Sequence, residues 1–354
     1  MPYELFILIK VTAIYVGLLS TAALMTLAER KVSAWIQWRI GPNRVGPFGL
    51  LQPLADGVKF IFKEEVVPEG ANRVLFRMAP LLAAVPAMLT VAVVPFAGEL
   101  SLFGHTTTLA IADLDISAIY VVAIGGLGVY GVILGGWSSN SKYSLLGGLR
   151  ASAQMISYEL TLLLCILCIV VMSGTLDLRG IIDHQIQEGL PFIGIGPGWN
   201  MFRQPLLFIL FVIATFAETN RHPFDFAECE PELVGGFHTE YSSMKFALFF
   251  LGEYCAMIVM ACLTTIFFLG GYDTVWDFSG VELPWIGNVN WLFQLGAFAT
   301  KTAFFLFLFI WVRWTLPRFR FDQLMSLGWK LFLPIALLHL FITGGLVSFG
   351  LIGG

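Results

Sequence analysis

Charge is scarce in this sequence. Asp, Glu, Lys and Arg make up 12% of its 354 residues, where a soluble domain carries about 25%. Hydrophobic residues make up 57%, and the mean hydropathy is +0.81. That composition excludes a water-soluble globular domain and leaves an integral membrane protein with several spans. Cysteine is sparse too, at five residues. Cys165 and Cys168 form a C-x-x-C within an apolar helical run, where they read as small buried hydrophobes, and no four-cysteine cluster exists for an iron–sulfur centre. Only His339 falls within a predicted span, which argues against a haem held by two histidines between helices. Walker A and dinucleotide fingerprints are absent, as is any metal-ligand pattern. Redox chemistry here would take its electrons from another subunit.

What is abundant is apolar sequence. Eight runs predict transmembrane helices near 5–27, 78–97, 116–136, 151–172, 201–217, 246–270, 291–312 and 331–350, the fifth being short. The expected fold class is an all-α integral membrane protein, a single membrane domain over 1–354. The N-terminus has neither a basic n-region nor a small-residue cleavage site, so its apolar run is predicted to stay as the first helix. Sixteen of the 20 Lys and Arg fall in 28–77, 137–150, 218–245 and 313–330. Only Arg179 and Arg203 fall in the opposite loops. By the positive-inside rule those four segments are cytoplasmic and both termini face outward.

The few acids are unevenly spread. Phe216 to Tyr241 reads FAETNRHPFDFAECEPELVGGFHTEY and holds Glu218, Asp225, Glu228, Glu230, Glu232 and Glu240, six of the chain's 24 carboxylates. Arg221 is its one full-time cation. Pro223, Pro231 and Gly235-Gly236 forbid a continuous helix through this loop, 218–241. The bland reading is a solvated loop between two spans. The interleaved Phe216, Phe224, Phe226, Leu233, Val234 and Phe237 favour a packed one, in which crowded carboxylates raise one another's pKa and carry protons. Glu228, Glu230 and Glu232 are spaced to share a face only on an extended segment.

Outside that loop, Leu50, Leu51, Leu54, Val58, Ile61 and Phe62 recur at helical spacing opposite Gln52, Asp56, Lys59 and Lys63. They predict an amphipathic interfacial helix over about 50–64, either a surface anchor or a wall for a lipid-like substrate. Glu159 and Glu253 lie at similar depths in their helices, and both are expected to face one polar cavity. At such depth an acid needs a partner, water or a proton. A structural pairing for Glu159 stays open beside a proton-carrying role. Lys301, near mid-membrane, is the candidate partner for a buried acid, while Lys10 suits a structural role near the outer interface. Arg313, Arg318 and Arg320 form a basic collar that meets either the acidic loop or lipid headgroups, anchoring being the simpler reading.

Four long motifs carry a family resemblance. AERKVSAWIQWRIGPNRVGPFGLLQPLADGVKFIFKE and ETNRHPFDFAECEPELVGGFHTEYSSMKFALFFLGEY resemble the two signatures of the H subunit of bacterial NADH-quinone oxidoreductase, the NADH dehydrogenase subunit 1 family. YSLLGGLRASAQMISYEL at 143–160 and LPRFRFDQLMSLGWKLFLP at 316–334 also match. The resemblance implies the membrane subunit of respiratory complex I that forms the quinone chamber and couples quinone reduction to proton translocation. It implies Arg30, Arg221 and Asp225, with Glu29, in the chamber. Glu218, Glu228, Glu230 and Glu232 become an acidic funnel continued by Glu159 and Glu253, with Lys301 and Arg150 as their possible partners. This chain would hold no cofactor of its own and use quinone as substrate. FMN and iron–sulfur clusters would sit in partner subunits, the terminal cluster in the peripheral arm. Its other partners would be membrane-arm subunits and lipids, with no nucleic acid, in a bacterial inner membrane rather than an organellar one.

Two other readings compete with this one. A quinone-independent membrane subunit of an energy-converting hydrogenase-type complex shares the fold, but the intact GPNRVGPFGLLQPLADGVKFIFKE run argues against it. A stand-alone ion transporter predicts an inverted repeat with broken helices at the midplane, and the sequence has no such repeat.

Overall fold

The structure, a computed structural model, describes residues 2–102, 105–188, 198–227, 230–274, 282–283 and 287–350, with backbone alone at 101–102, 230–231, 282–283 and 287–288. In chain order the helices are α1 (Tyr3–Ile36), α2 (Gln52–Phe62), α3 (Arg73–Thr90), α4 (Ser117–Ser138), α5 (Lys142–Ser173), α6 (Leu178–Gln187), α7 (Asn200–Arg203), α8 (Pro205–Glu218), α9 (Glu230–Leu233), α10 (Ser243–Phe268), α11 (Asn290–Thr315), α12 (Phe321–Leu327) and α13 (Leu333–Ser348). A π-helical turn, Gly328–Phe332, joins the last two. Two small antiparallel hairpins complete the described chain: β1 (Glu99–Leu102) with β2 (His105–Thr108), and β3 (Glu282–Leu283) with β4 (Gly287–Asn288).

Among the described residues seven helices are long and apolar enough to cross a membrane: α1, α3 with its following turn, α4, α5, α10, α11 and the continuous segment Phe321–Ser348. Helix α8 has 14 residues. At 1.5 Å per residue it is about 21 Å long, short of a hydrocarbon core of about 30 Å. Pro205 starts it just after the non-helical Gln204, so α7 and α8 are two helices rather than one. Helix α1 continues nine residues past the expected end at 27, because AERKVSAWI contains no Gly or Pro to stop it. Helix α5 likewise begins at Lys142 instead of 151, directly after the left-handed Asn140 that turns the chain back from α4.

Small residues bring the spans together. A Cβ on Gly131 of α4 would collide with the Ala83 backbone of α3, and one on Gly252 of α10 would press on Ala83 and Ala84. Helices that cannot rely on a hydrophobic drive inside lipid associate through such close backbone contacts. Around α5, α8 and α10 the core is aromatic, with Tyr158, Phe211, Phe267 and Phe268 almost fully buried.

The connections holding most of the cations gather at one end of the bundle, together with α2, α9 and α12. The β1–β2 hairpin and α6 lie at the other, where Lys10 donates to the Thr108 carbonyl at 3.3 Å. Helix α2 sits beside the ends of α1 and α10, with Ser243 Oγ donating to the Phe60 carbonyl at 2.9 Å. Its Leu54, Val58, Ile61 and Phe62 are exposed and turn away from the rest of the chain, the arrangement of a helix lying in a membrane interface.

Candidate functional site

The loop leaving α8 folds inward. Arg221, Phe224, Asp225, Phe226 and Ala227 are all buried, which separates this segment from a solvated spacer. Gln154 of α5 fixes it: the side-chain amide donates to the carbonyls of Ala217 and Phe224, both at 2.7 Å. The Phe319 backbone amide donates to the Pro223 carbonyl at 3.4 Å, and Phe216 packs against Phe309 of α11 at 4.2 Å between ring centroids. Aromatic packing and a buried amide thus hold polar residues that sequence alone places in a loop.

Four charges converge where this loop meets three spans. Arg221 Nη1 lies 3.1 Å from Glu29 Oε1 of α1, and its Nε lies 2.7 Å from Glu253 Oε1 of α10. Arg313 at the end of α11 also bonds Glu29. Tyr254 completes the group, its hydroxyl donating to Glu29 Oε2 at 2.5 Å while its ring lies 4.6 Å from the Arg221 guanidinium. Two acids and two arginines balance. Burial works against the Arg221 charge, but Glu253 and Glu29 outweigh it and hold the guanidinium pKa above its usual value. A second buried pair lies beside it: Asp225 Oδ2 is 2.9 Å from Arg318 Nη2 and 3.1 Å from His222 Nε2.

Glu218, three residues before Arg221, is different. It is buried, and its Oε2 has no hydrogen-bond partner among the described residues. It lines a cavity of about 110 Å³ whose walls include Thr219, Asn220, His238, Glu253 and the glycines Gly125, Gly128 and Gly252. It also lines a smaller cavity of about 30 Å³ with Glu159, Gly125 and Gly126. A water needs roughly 10–15 Å³ on this measure, so the larger space has room for several waters and the smaller for one or two. Glu159 and Glu253 therefore face two adjoining cavities that share Glu218, rather than the single cavity expected. Gly126 leaves room for the Glu159 carboxylate, which would have to shift to admit a Cβ there.

The other residues singled out from the sequence scatter. Arg30, one position past Glu29 and so about 100° around α1, turns away from the cluster to Asp56 of α2 at 2.7 Å, with half its side chain exposed. Arg150 pairs with Glu232 at 2.6 Å, where Glu232 is 53% exposed. Glu228 lies outside the described residues, as does the side chain of Glu230, and α9 makes the backbone at 230–233 helical rather than extended. Among the described residues Lys301 meets no buried acid: its ammonium donates to the carbonyls of Leu269, Gly271 and Asp273, because the turn after α10 comes within its reach. The basic collar divides. Arg313 and Arg318 bind buried acids instead of anchoring, and Arg320 stays at the surface beside Asp322. Sequence reasoning gave no role to Tyr254, His222 or Gln154. No spacing announces them, although Tyr254 and His222 adjoin residues that were singled out.

Comparison with known proteins gives the family. The family model described as NADH dehydrogenase matches residues 9–344. A Cytophaga hutchinsonii protein named as an H subunit of NADH-quinone oxidoreductase is 48% identical over 340 residues, 96% of each chain. A Geobacter metallireducens protein named in the same way is 49% identical over 95% of each chain. The H subunit of NADH-quinone oxidoreductase from Leptospira biflexa is 50% identical over 92% of this chain and 90% of its own. Identity at about half the aligned positions, sustained along nearly the whole length, leaves one assignment: this chain belongs to the family of NADH-quinone oxidoreductase H subunits, multi-pass membrane components of complex I.

Proposed function

We propose that this chain lines the quinone chamber of its complex and couples quinone reduction to proton movement through the span helices. The observation that carries the reading is the buried, charge-balanced group of Glu29, Arg221, Glu253 and Arg313, set against water-sized cavities that reach Glu218 and Glu159. Reducing a quinone to a quinol takes two electrons and two protons. The electrons would come from the terminal iron–sulfur cluster of a peripheral-arm partner, with FMN further upstream. A carboxylate that gains or loses a proton to replace those consumed alters the field on its neighbours. Glu253 belongs to both environments, bonded to Arg221 on one side and lining the larger cavity on the other. A change at the Arg221 group would therefore reach Glu218 and Glu159 through the water of these adjoining cavities.

In this reading Asp225 and Arg318 hold the chamber wall toward the peripheral arm, and Glu228 and Glu230 extend the acidic path. The exposed apolar face of α2 would border the opening through which a lipid-borne quinone leaves the bilayer. The cation-rich end is cytoplasmic and both termini are periplasmic in a bacterial inner membrane. The decisive experiment uses membranes containing the assembled complex. Glu253→Gln should slow NADH-to-quinone electron transfer while NADH oxidation by an artificial acceptor in the peripheral arm stays normal. Wild-type rates with both acceptors in that variant would remove the cluster from the quinone end of the reaction.

A further inference from the structure

Helix α10 ends in an unusual way. Gly270 and Gly271 both adopt positive φ, at 69° and 53°, and reverse the chain within the bundle. Glycine suits both positions: a Cβ on Gly270 would strike the Trp199 indole, and one on Gly271 would press on the end of the Ile182 side chain. This turn aims three carbonyl oxygens at one point. The Lys301 ammonium occupies that point, 2.7 Å from the Leu269 oxygen, 3.1 Å from that of Gly271 and 2.9 Å from that of Asp273. The face of Trp199 closes the site, its ring centroid 4.7 Å from Nζ, and Trp199 Nε1 donates to the Asp273 carboxylate at 3.0 Å.

Converging carbonyls, an aromatic face and a nearby carboxylate are the features by which proteins bind small cations. The negative end of the α10 dipole adds to them. We propose that the turn after α10 is a cage for a monovalent cation, filled in this chain by its own Lys301. Lys301 lies about 17 Å along α11 from its start, too deep for an uncompensated charge to be tolerated without partners, and the cage supplies them. Its role is positioning. The cage fixes one end of α10, and Glu253 and Tyr254 lie on the same helix about 24 Å away.

The test replaces the tether and keeps the cage. In membranes carrying the whole complex, Lys301→Cys removes the ammonium, and alkylation with 2-bromoethylamine restores one at nearly the original length. Alkylation with 2-bromoethanol restores only the length. We expect Lys301→Cys to lower the melting temperature of the complex and to cut its NADH-to-quinone turnover severalfold. The aminoethylated protein should recover both and the hydroxyethylated protein neither, with wild type treated alongside to subtract effects on other cysteines. Melting does not depend on the proposed quinone chemistry, so recovery of melting alone supports the cage and counts against the quinone reading only. Equal recovery with both reagents, no recovery with either, or a Lys301→Met variant that melts and turns over like wild type would overturn the cage. If neither neutral variant assembles, Lys301→Arg decides: assembly supports a cation requirement, and failure counts against it.

Discussion

Two groups of buried acids adjoin one another in this protein and are treated in opposite ways. Glu29 and Glu253 are matched by Arg221 and Arg313, with Tyr254 donating to Glu29. Glu218 and Glu159 share a water-sized cavity with no cation in an ion pair to either among the described residues. The first group is a fixed arrangement whose charges need one another. The second is held in place by packing, with no such cation to fix its charge. In the proposed reading the first group holds geometry and the second changes its protonation.

The strongest way to break this contrast is to remove a cation from the matched group. Arg221→Met leaves Glu253 without its arginine and Glu29 with only Arg313, a loss of about 3–5 kcal/mol. The expected outcome is near-complete failure to assemble, read on native gels, with Arg221→Lys retaining part. Assembly at wild-type levels in Arg221→Met would show that the four charges do not depend on one another. In the unmatched group the opposite pattern should appear. Glu218→Gln removes a carboxyl that no cation holds among the described residues, so the melting temperature should stay within the error of wild type while proton pumping and turnover fall about tenfold or more. A destabilised but fully active variant would reverse the assignment of the two groups.

Smaller changes sharpen the same comparison. Gly126→Ala pushes a methyl into the Glu159 carboxylate and displaces it within its cavity. Turnover should fall with little change in assembly, and a wild-type rate would show that the position of Glu159 does not matter. Arg150→Ala breaks a half-exposed pair with Glu232. Exposed pairs are worth about 0.2–1 kcal/mol, so denaturation and turnover should both stay close to wild type. A large effect there would place part of the coupling site in the loop's outer half.

Much of this arrangement is legible in the residues themselves, for reasons that differ from one to the next. Span positions follow from hydropathy, and the interleaved Phe224 and Phe226 favour a packed loop over a wet one. Which cation meets which acid is not legible. Glu29 and Arg313 are separated by 284 residues, and nothing in either segment encodes that α1 and α11 bring them together. Lys301 shows the same limit in another form. Its partners are backbone carbonyls, present at every residue, so sequence marks the donor and hides the acceptors. Arg30 misleads through its neighbour, because one step along a helix changes the face and so the surroundings.

Gln154 makes the loop and helix α5 mechanically one piece. Its amide grips the chain on both sides of the turn, at Ala217 and Phe224, so the turn has no free play relative to that helix. Glu159 stands five residues further along the same rod, about 7.5 Å away. A displacement of the loop by anything that presses on it is therefore transmitted as a pull on α5, and it arrives at the carboxylate as a change in where that group stands in its cavity.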